Sequence, residues 1–304
     1  MSKWVVNVPA ATVWTQPDSA REIDRKALTN PVQLEGWLDG LDYEARLGLC
    51  NENLVQTQLL FGEEVLVTEE KKEWAHVICI NQPSSKDSRG YPGWVPKVQL
   101  AELETWDAGN RPAAVVQSKK AVLRLETGEI EISYQTALPV LSEESDKVTV
   151  LTPLGEGQLQ RSDIAIYASV DSRTKGSGSD IAACGEQFVG LPYLWGGMSS
   201  YGYDCSGFSY TMCKANGHII PRDAHDQLNT GKEIDLDKLE PGDLLYFAYE
   251  EGKGNVHHVG IYYGEGKLLH SPNTGKSIEI IDMAGTIYEK ELCAARRYGR
   301  ETEG

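Results

Sequence analysis

Long apolar runs are missing from this sequence, and their absence excludes a membrane-spanning helix. No stretch approaches the ~20 consecutive apolar residues that a bilayer requires. The apolar run at the N-terminus contains Asn7 and Pro9 and has no cleavage-site pattern, so we expect a β-strand there and no secretion signal. On this basis we expect no membrane partner and a cytoplasmic location.

Cysteines are few and scattered, with six in 304 residues and no CxxC pair. This pattern excludes a disulfide framework and predicts reduced thiols. We expect no metal ion and no cofactor. Five of the cysteines have no motif around them and are expected to be packing residues. These are Cys50, Cys79, Cys184, Cys213 and Cys293.

Positive charge is also scarce, because 29 Lys and Arg face 45 Asp and Glu, giving a net charge of −16. A polyanion would be repelled, so nucleic acid is excluded as a partner. An acidic surface suits an amine-bearing ligand, although a solvated surface explains the charge equally well. The apolar and charged fractions, 40% and 24%, are those of an ordinary folded protein.

Short alternating runs between turn residues fill the first half of the chain and predict strands. The predicted strands of the first domain cover residues 5–8, 11–14, 64–70, 74–80 and 93–96. Within residues 19–47, Leu34, Trp37, Leu38 and Leu41 form a helical stripe. We therefore predict a small barrel with a helical insertion over 1–107 and a second small barrel over 111–170.

A Gly/Ser-rich run, DSRTKGSGS, covers residues 171–179 and predicts a flexible linker. A helix is expected to begin near Ser179 and to stop before Gly190, with Ile181, Cys184 and Phe188 on one face. The composition changes at this point, so residues 180–304 are predicted to form a third domain.

The stretch LPYLWGGMSSYGYDCSGFSYTMCKANG, residues 191–217, contains the candidate nucleophile. Asp204 suits a helix N-cap and Gly217 suits the position just after the helix. This places Cys205 in the first helical turn, on the stripe shared by Phe208, Met212 and Ala215. A helix N-terminus stabilises thiolate over thiol, and its N–H groups can stabilise an oxyanion.

The segment VHHVGIYYGEGKLLHS, residues 256–271, predicts a β-hairpin that presents two histidines. A three-residue loop at 264–266 sets Gly260 opposite His270 and makes His258 a diagonal neighbour of His270 on the same face. A two-residue loop would place them on opposite faces. His257 points the other way and is expected to be structural. With Cys205, this register predicts a cysteine hydrolase in which His258 is the base and His270 orients it.

Five motifs in order resemble the NlpC/P60 cell-wall peptidase family. They are YLWGG (193–197), YDCSGF (203–208), PGDLLYF (241–247), HHVGIYYG (257–264) and LLHS (268–271). The resemblance implies a papain-like α+β fold for residues 180–304. It also implies that Cys205, His258 and His270 are catalytic, with Tyr193 a donor on the oxyanion side. A zinc site built from Cys205, His258 and His270 is the minor alternative.

The whole-chain layout resembles a group within that family, the cytoplasmic endopeptidases of murein-peptide recycling. In that group two bacterial SH3-like barrels precede the catalytic domain. The group cleaves the γ-D-Glu–diamino acid bond of murein tripeptides or tetrapeptides that have a free N-terminal L-Ala. The resemblance therefore implies a substrate-binding set in this chain, made up of Tyr91, Trp195, Asp204, Ser206, Asp223 and Ala224.

Two positions depart from the pattern of that group. Ala224 stands where relatives often have a hydroxyl residue, which puts one substrate hydrogen bond in doubt. A glutamate of the first barrel contacts substrate in the group, and here both Gln56 and Glu63 lie near the expected position.

An ammonium group is expected to sit between Asp223, Asp204 and the Tyr91 hydroxyl.

Two other functions are consistent with the same motifs. One is a hydrolase of intact cell wall, or an amidase with another acyl substrate. The other is a non-catalytic cell-wall-binding module in which the barrels provide the binding function. The sequence also leaves open whether the diamino acid is lysine or diaminopimelate, and what the oligomeric state is.

Overall fold

The computed structural model describes residues 2–106, 109 and 111–299. The predicted domain ends Met1, Asp107 and Gly304 lie outside these residues. The chain divides into two compact units. The first contains Met1–Asn81, Arg89–Arg173 and Met198–Tyr201, and the second contains Gln82–Ser88, Thr174–Gly197 and Gly202–Gly304.

A seven-stranded antiparallel sheet forms the first barrel of the first unit, in the order β3-β2-β6-β5-β4-β1-β7. Its strands are β1 (Lys3–Val6), β2 (Ala10–Trp14), β3 (Val55–Leu60), β4 (Glu64–Lys71), β5 (Trp74–Cys79), β6 (Tyr91–Pro96) and β7 (Leu100–Leu103). Alternate side chains such as Val13, Val77 and Val95 meet in a closed apolar core. The five predicted strands are all present, with ends shifted by one or two residues.

The helical insertion of the first barrel contains α1 (Leu34–Asp39), α2 (Tyr43–Asn51) and a 3₁₀ helix, Glu22–Ala27. The predicted stripe is confirmed, since Leu34, Trp37 and Leu38 are all buried. The indole of Trp37 donates to the buried Asp24 carboxylate at 2.9 Å, which anchors α1 to the 3₁₀ helix.

The second barrel is also a seven-stranded antiparallel sheet, in the order β10-β9-β13-β12-β11-β8-β14. Its strands are β8 (Ala113–Val116), β9 (Lys120–Leu125), β10 (Gly128–Ser133), β11 (Ala137–Glu143), β12 (Lys147–Thr152), β13 (Gly155–Gln160) and β14 (Ile164–Tyr167). Inward residues such as Leu123, Val148 and Leu159 form a second, separate core.

The second unit combines helices with a six-stranded antiparallel sheet, in the order β17-β22-β18-β19-β20-β21. The helices are α3 (Gly178–Glu186), α4 (Cys205–Ala215), α5 (Ala224–Leu228), α6 (Tyr249–Gly252) and α7 (Ile287–Glu291). The strands of this sheet are β17 (Lys232–Glu233), β18 (Leu244–Ala248), β19 (Val256–Gly264), β20 (Lys267–His270), β21 (Glu279–Asp282) and β22 (Leu292–Arg297), while β15 (Met198–Ser199) and β16 (Gly202–Tyr203) form a separate pair. This is the predicted α+β architecture.

The predicted linker is more regular than its composition suggests. A 3₁₀ turn covers Val170–Ser172, and α3 begins at Gly178. Ser177 caps α3, because its hydroxyl accepts from the Asp180 N–H. Phe188, expected on this helix, instead follows its end and is fully buried.

None of the helices in the described ranges, 2–106 and 111–299, is long and apolar enough to cross a membrane.

Candidate active site

Cys205 is the first residue of α4, the position that the sequence predicts. Asp204 caps the helix, since its carboxylate accepts from the Gly207 N–H at 2.6 Å. Gly217 follows the C-cap with a φ of 74°, a left-handed conformation that glycine adopts without strain. Both ends of the nucleophile helix are therefore fixed by local sequence.

The sulfur of Cys205 lies in an enclosed environment with opposing electrostatic effects. Burial raises the pKa of the thiol to about 12, and the Asp204 carboxylate acts in the same direction. Hydrogen bonds from the Val259 and Ser206 N–H groups, together with the Arg222 charge, lower the pKa. The helix start thus favours the thiolate as expected, but burial is the larger effect in the unliganded site.

The hairpin has the predicted register, but its turn differs from the expected one. Its turn is the two-residue pair Glu265–Gly266, closed by Gly264 and Lys267, and both turn residues have positive φ. The expected three-residue loop is therefore wrong. A bulge between Tyr262 and Gly264 adds the missing residue, so the pairing continues as Ile261 with Leu269.

The bulge brings the two predicted histidines together. His258 Nε2 and His270 Nδ1 are 2.8 Å apart, and both rings are buried. Burial lowers the pKa of His258 well below its ordinary value, and the neighbouring His270 and His257 add to this effect. Burial, followed by the Lys276 charge, lowers the pKa of His270 to about 3.

These positions define how one proton can move. His258 Nε2 faces His270, so Nδ1 is the ring nitrogen of His258 that is not part of this contact. Val259, the residue after His258, donates its N–H to the Cys205 sulfur. Strand β19, which contains both His258 and Val259, therefore lies beside Cys205. Burial disfavours the charged form of each group alone, and a proton passing from thiol to imidazole creates the two charges as a pair.

A buried ion pair lies next to the nucleophile. Asp204 accepts two hydrogen bonds from the Arg222 guanidinium, at 2.7 and 3.1 Å. It also accepts from the Gly196 N–H at 2.9 Å. Ser206 joins this network, since its hydroxyl accepts from Arg222 at 2.8 Å and lies 3.2 Å from Asp204. Arg222 already balances the charge of Asp204, which therefore offers an ammonium ion less than the sequence suggests.

Asp223 is placed differently from Asp204. It is the N-cap of α5, but its side chain does not cap the helix. Its carboxylate is half-buried and lies 3.5 Å from the Lys86 ammonium. Lys86 belongs to residues 82–88, which lie in the second unit and are tied there by the bond from Arg222 N–H to Pro83 O, at 2.9 Å. Ala224 begins α5 beside this carboxylate.

The remaining predicted residues are distributed over both units. Tyr193 is buried in the second unit, where its backbone bridges to Tyr203, two residues before Cys205. Trp195 is half-buried and precedes Gly196, the residue whose N–H is held by Asp204.

Tyr91 lies in the first unit, at the start of β6, and is buried. Its hydroxyl donates to the Gln56 amide oxygen at 3.4 Å. Glu63 accepts from the Leu60 N–H at 2.9 Å, which closes its own turn. Of the two first-barrel candidates, Gln56 is therefore the one that is joined to Tyr91.

Two regions of the chain match known protein families. Residues 190–297 match the NlpC/P60 family, and residues 116–167 match the YKFC SH3b2 domain. A gamma-D-glutamyl-L-lysine dipeptidyl-peptidase of Bacillus subtilis is 51% identical over 289 residues, covering 94% of this chain and 96% of the relative. The chain belongs to the NlpC/P60 family.

Two further relatives have the same layout as this NlpC/P60 chain. A Bacillus cereus protein with the same name is 41% identical over 98% of this chain and 91% of its own. The crystal structure of an NlpC/P60 family protein from Bacillus cereus superposes with a TM-score of 0.94 at 41% identity, covering 97% of this chain and 99% of that one. The predicted fold, with SH3-like barrels before a papain-like domain, is confirmed. So is the prediction of a hydrolase of the cysteine-peptidase class.

His257 and His218 make contacts of their own elsewhere in the NlpC/P60 domain. His257 Nε2 lies 3.0 Å from the Glu291 carboxylate, and its ring stacks on Tyr249. His218 lies in the loop after α4, where it is buried and its Nε2 is 2.9 Å from the Gly176 carbonyl oxygen. Within residues 2–106, 109 and 111–299, no group of three or more His, Cys, Asp or Glu is arranged to hold a metal ion.

Four residues near the site were not assigned by sequence reasoning. Arg222 directly precedes Asp223, and a cation next to this predicted acidic position was a readable signal. Lys86, Glu279 and Tyr288 carry no motif. Tyr288 packs edge-on against His270, with ring centroids 4.7 Å apart, and also contacts His258. Only the fold brings these residues to the site.

Proposed function

We propose that this protein is a cysteine peptidase that hydrolyses the γ-D-Glu–L-diamino acid bond of murein peptides with a free N-terminal L-Ala. The observation that carries the proposal is the hydrogen-bonded His258–His270 pair, held by β19 beside the thiol of Cys205. The names of two relatives, both gamma-D-glutamyl-L-lysine dipeptidyl-peptidases, support this bond and this end of the substrate.

The reaction follows from the proton positions. Cys205 transfers its proton to His258 Nδ1 as the sulfur attacks the γ-carbonyl of D-Glu. N–H groups at the start of α4 stabilise the oxyanion, and protonated His258 then donates to the leaving amine of the diamino acid. Water, activated by His258, hydrolyses the thioester and restores the thiol. His270 holds the His258 Nε2–H throughout and thereby fixes the tautomer.

Specificity for a free amine is assigned to Asp223, with Tyr91 and Asp204 in lesser roles. The contact between Asp223 and the Lys86 ammonium supports this, because a carboxylate that pairs with one ammonium group can pair with another. Trp195, Ser206 and Ala224 complete the proposed substrate-binding set. An N-acetylated substrate has no ammonium group to pair with this carboxylate, which should cost about 1–3 kcal/mol of binding.

A cytoplasmic location is part of the proposal. All six cysteines are free thiols, which suits a reducing compartment. Cell fractionation with antibodies against the protein tests the location, and recovery from the wall fraction would contradict it.

The decisive assay compares L-Ala-γ-D-Glu-L-Lys and its diaminopimelate counterpart, each free and N-acetylated, with polymeric murein. We expect Cys205→Ala to reduce hydrolysis by more than about 10³-fold. Cys293→Ala is the matched control, because this half-buried thiol lies outside the site, and it should retain activity. Hydrolysis by Cys205→Ala at the wild-type rate would refute the nucleophile, and preference for polymeric murein would favour the cell-wall alternative.

A further inference from the structure

His270 has one ring nitrogen that the mechanism above does not use. Nδ1 faces His258, whereas Nε2 is buried and has no hydrogen-bond partner among the residues that the structure describes. A buried polar atom without a partner is costly and rare in a folded protein. The surroundings of Nε2 therefore indicate what orients His270.

The carboxylate of Glu279 is the acidic group next to this nitrogen. Glu279 begins β21 and is paired directly with His270 of β20, so both side chains project from the same face of the sheet. Its Oε1 lies 3.5 Å from His270 Nε2, longer than a well-formed hydrogen bond. In unliganded enzymes, bonds of this kind are often long and tighten in the substrate complex.

Proton positions make this contact chemically specific. For His258 Nε2–H to donate to His270, His270 Nδ1 must carry a lone pair. In the neutral ring the proton of His270 then resides on Nε2, which must donate to an acceptor. The Glu279 carboxylate is an acceptor of the right kind at the right nitrogen, and it would select the required tautomer.

Other groups around His270 also favour a neutral ring with its proton on Nε2. Tyr288 covers the edge of both imidazoles, and burial followed by Glu279 and Cys205 raises the pKa of its hydroxyl to about 12, so it is neutral at physiological pH. Lys276 is the nearby cation and opposes protonation of His270. Glu279 is 38% exposed on its side chain, so its carboxylate keeps contact with solvent while it faces His270.

We propose that Glu279 is a positioning residue, the fourth member of a Cys205–His258–His270–Glu279 chain of hydrogen bonds. It acts through His270 by fixing the tautomer and by stabilising the imidazolium that forms on His258 during attack. This inference rests on the proposed function, since it needs His258 as the base.

The test is the pH dependence of kcat and KM for Glu279→Ala and Glu279→Gln on the free tripeptide. We expect Glu279→Ala to lower kcat about tenfold with KM little changed, less than the 10²–10⁴-fold of a general base itself. Glu279→Gln retains an acceptor oxygen and should keep most of kcat. Both variants lose the negative charge, so the apparent pKa of the histidine pair should fall, and imidazole NMR shifts of the unliganded protein report it without turnover.

Asp282→Ala is the matched control, because Asp282 is an exposed carboxylate at the other end of β21. It should behave as wild type. A Glu279→Ala protein with wild-type kcat and unchanged histidine titration would overturn the inference, as would loss in Glu279→Gln equal to that in Glu279→Ala with unshifted titration. If Cys205→Ala is inactive in the same assay, such a result rejects the role of Glu279 and leaves the proposed function standing.

Discussion

Burial dominates the chemistry of individual residues at this site. It raises the pKa of Cys205 to about 12 and lowers that of His270 to about 3, so the neutral forms are favoured in the unliganded protein. The same burial makes the thiolate and imidazolium strongly attractive once one proton has moved between them. The proposed mechanism therefore needs the proton to pass from Cys205 to His258 as the sulfur attacks.

The lowered pKa of His270 makes stability depend on pH. Between pH 6.5 and about 3 the unfolded chain binds a proton at this ring while the folded chain does not. Stability from this source is therefore complete above pH 6.5 and falls as the pH decreases, by up to about 1.4 kcal/mol per pH unit. Urea unfolding of wild type and His270→Gln from pH 7.5 to 4.5 measures it, and equal slopes would refute the account.

The buried Asp204–Arg222 pair predicts a large effect of a single substitution on stability. Arg222→Ala leaves a carboxylate in the interior without its counter-ion, so we expect a loss of about 3–5 kcal/mol in the free energy of unfolding. Lys238→Ala breaks an exposed ion pair with Asp235 and serves as the control, with stability within error of wild type. Chemical denaturation measures both, and an Arg222→Ala protein as stable as the control would count against the pair.

Residue-level sequence reasoning could place Cys205 at a helix start and His258 beside His270 because helix capping and hairpin register are local properties. It could not place Arg222 against Asp204, since their contact depends on how the chain returns after α4. Sequence reasoning could not place Glu279 beside His270 either. Its position opposite His270 depends on the loop between β20 and β21, for which the sequence gives no register.

At the scale of elements, the β19–β20 hairpin decides whether the histidines meet. A two-residue turn alone would place His258 and His270 on opposite faces, and the bulge at Tyr263 reverses this. The sequence predicted the correct facing for the wrong reason, because a bulge and a longer loop add the same one residue. The bulge leaves no signal in a pattern of alternating side chains.

Deletion of Tyr263 tests the bulge. The deletion removes the bulged residue and leaves Gly264 opposite Lys267 and Tyr262 opposite Leu268, so His258 and His270 should stay on one face and most of the hydrolysis should be retained. Tyr263→Ala is the control, since it removes the same side chain, whose hydroxyl bonds Glu186 at the surface, and keeps the bulge. Loss of hydrolysis in the deletion variant, with activity retained in Tyr263→Ala, would contradict this register.

Elements were easiest to predict where burial alternates and hardest where it does not. The Leu34, Trp37 and Leu38 stripe gave α1, because one helical face is apolar and the other polar. Strand β3 was missed. Its sequence, VQTQLL, has polar residues at buried positions, including Thr57 and Gln58, so neither period appears.

At the scale of the whole molecule, a loop between two strands of the first barrel supplies part of the second unit. Residues 82–88 connect β5 with β6, and Ser85 N–H donates to Asp226 at 2.8 Å. Lys86 of this loop lies by Asp223, the carboxylate proposed to bind the substrate amine. Lys86 is therefore an internal cation beside the carboxylate that we propose for the substrate ammonium.

Lys86→Met should remove that competitor. A half-exposed ion pair contributes about 0–1 kcal/mol, so we expect KM for the free tripeptide to fall by up to about fivefold. KM for the N-acetylated peptide should not change. Lys238→Met is the control on the surface of the same unit. A higher KM for the free peptide would mean that Lys86 binds substrate and does not compete with it.

The central claim is that Cys205 carries the acyl group during turnover. Rapid quenching of the enzyme with free L-Ala-γ-D-Glu-L-Lys in acid, followed by peptide mass spectrometry, tests it most directly. The account predicts an L-Ala-D-Glu acyl adduct on the peptide that contains Cys205, and a released diamino acid in equal amount in the first turnover. Turnover without any adduct at Cys205, or with the adduct on another residue, would contradict it.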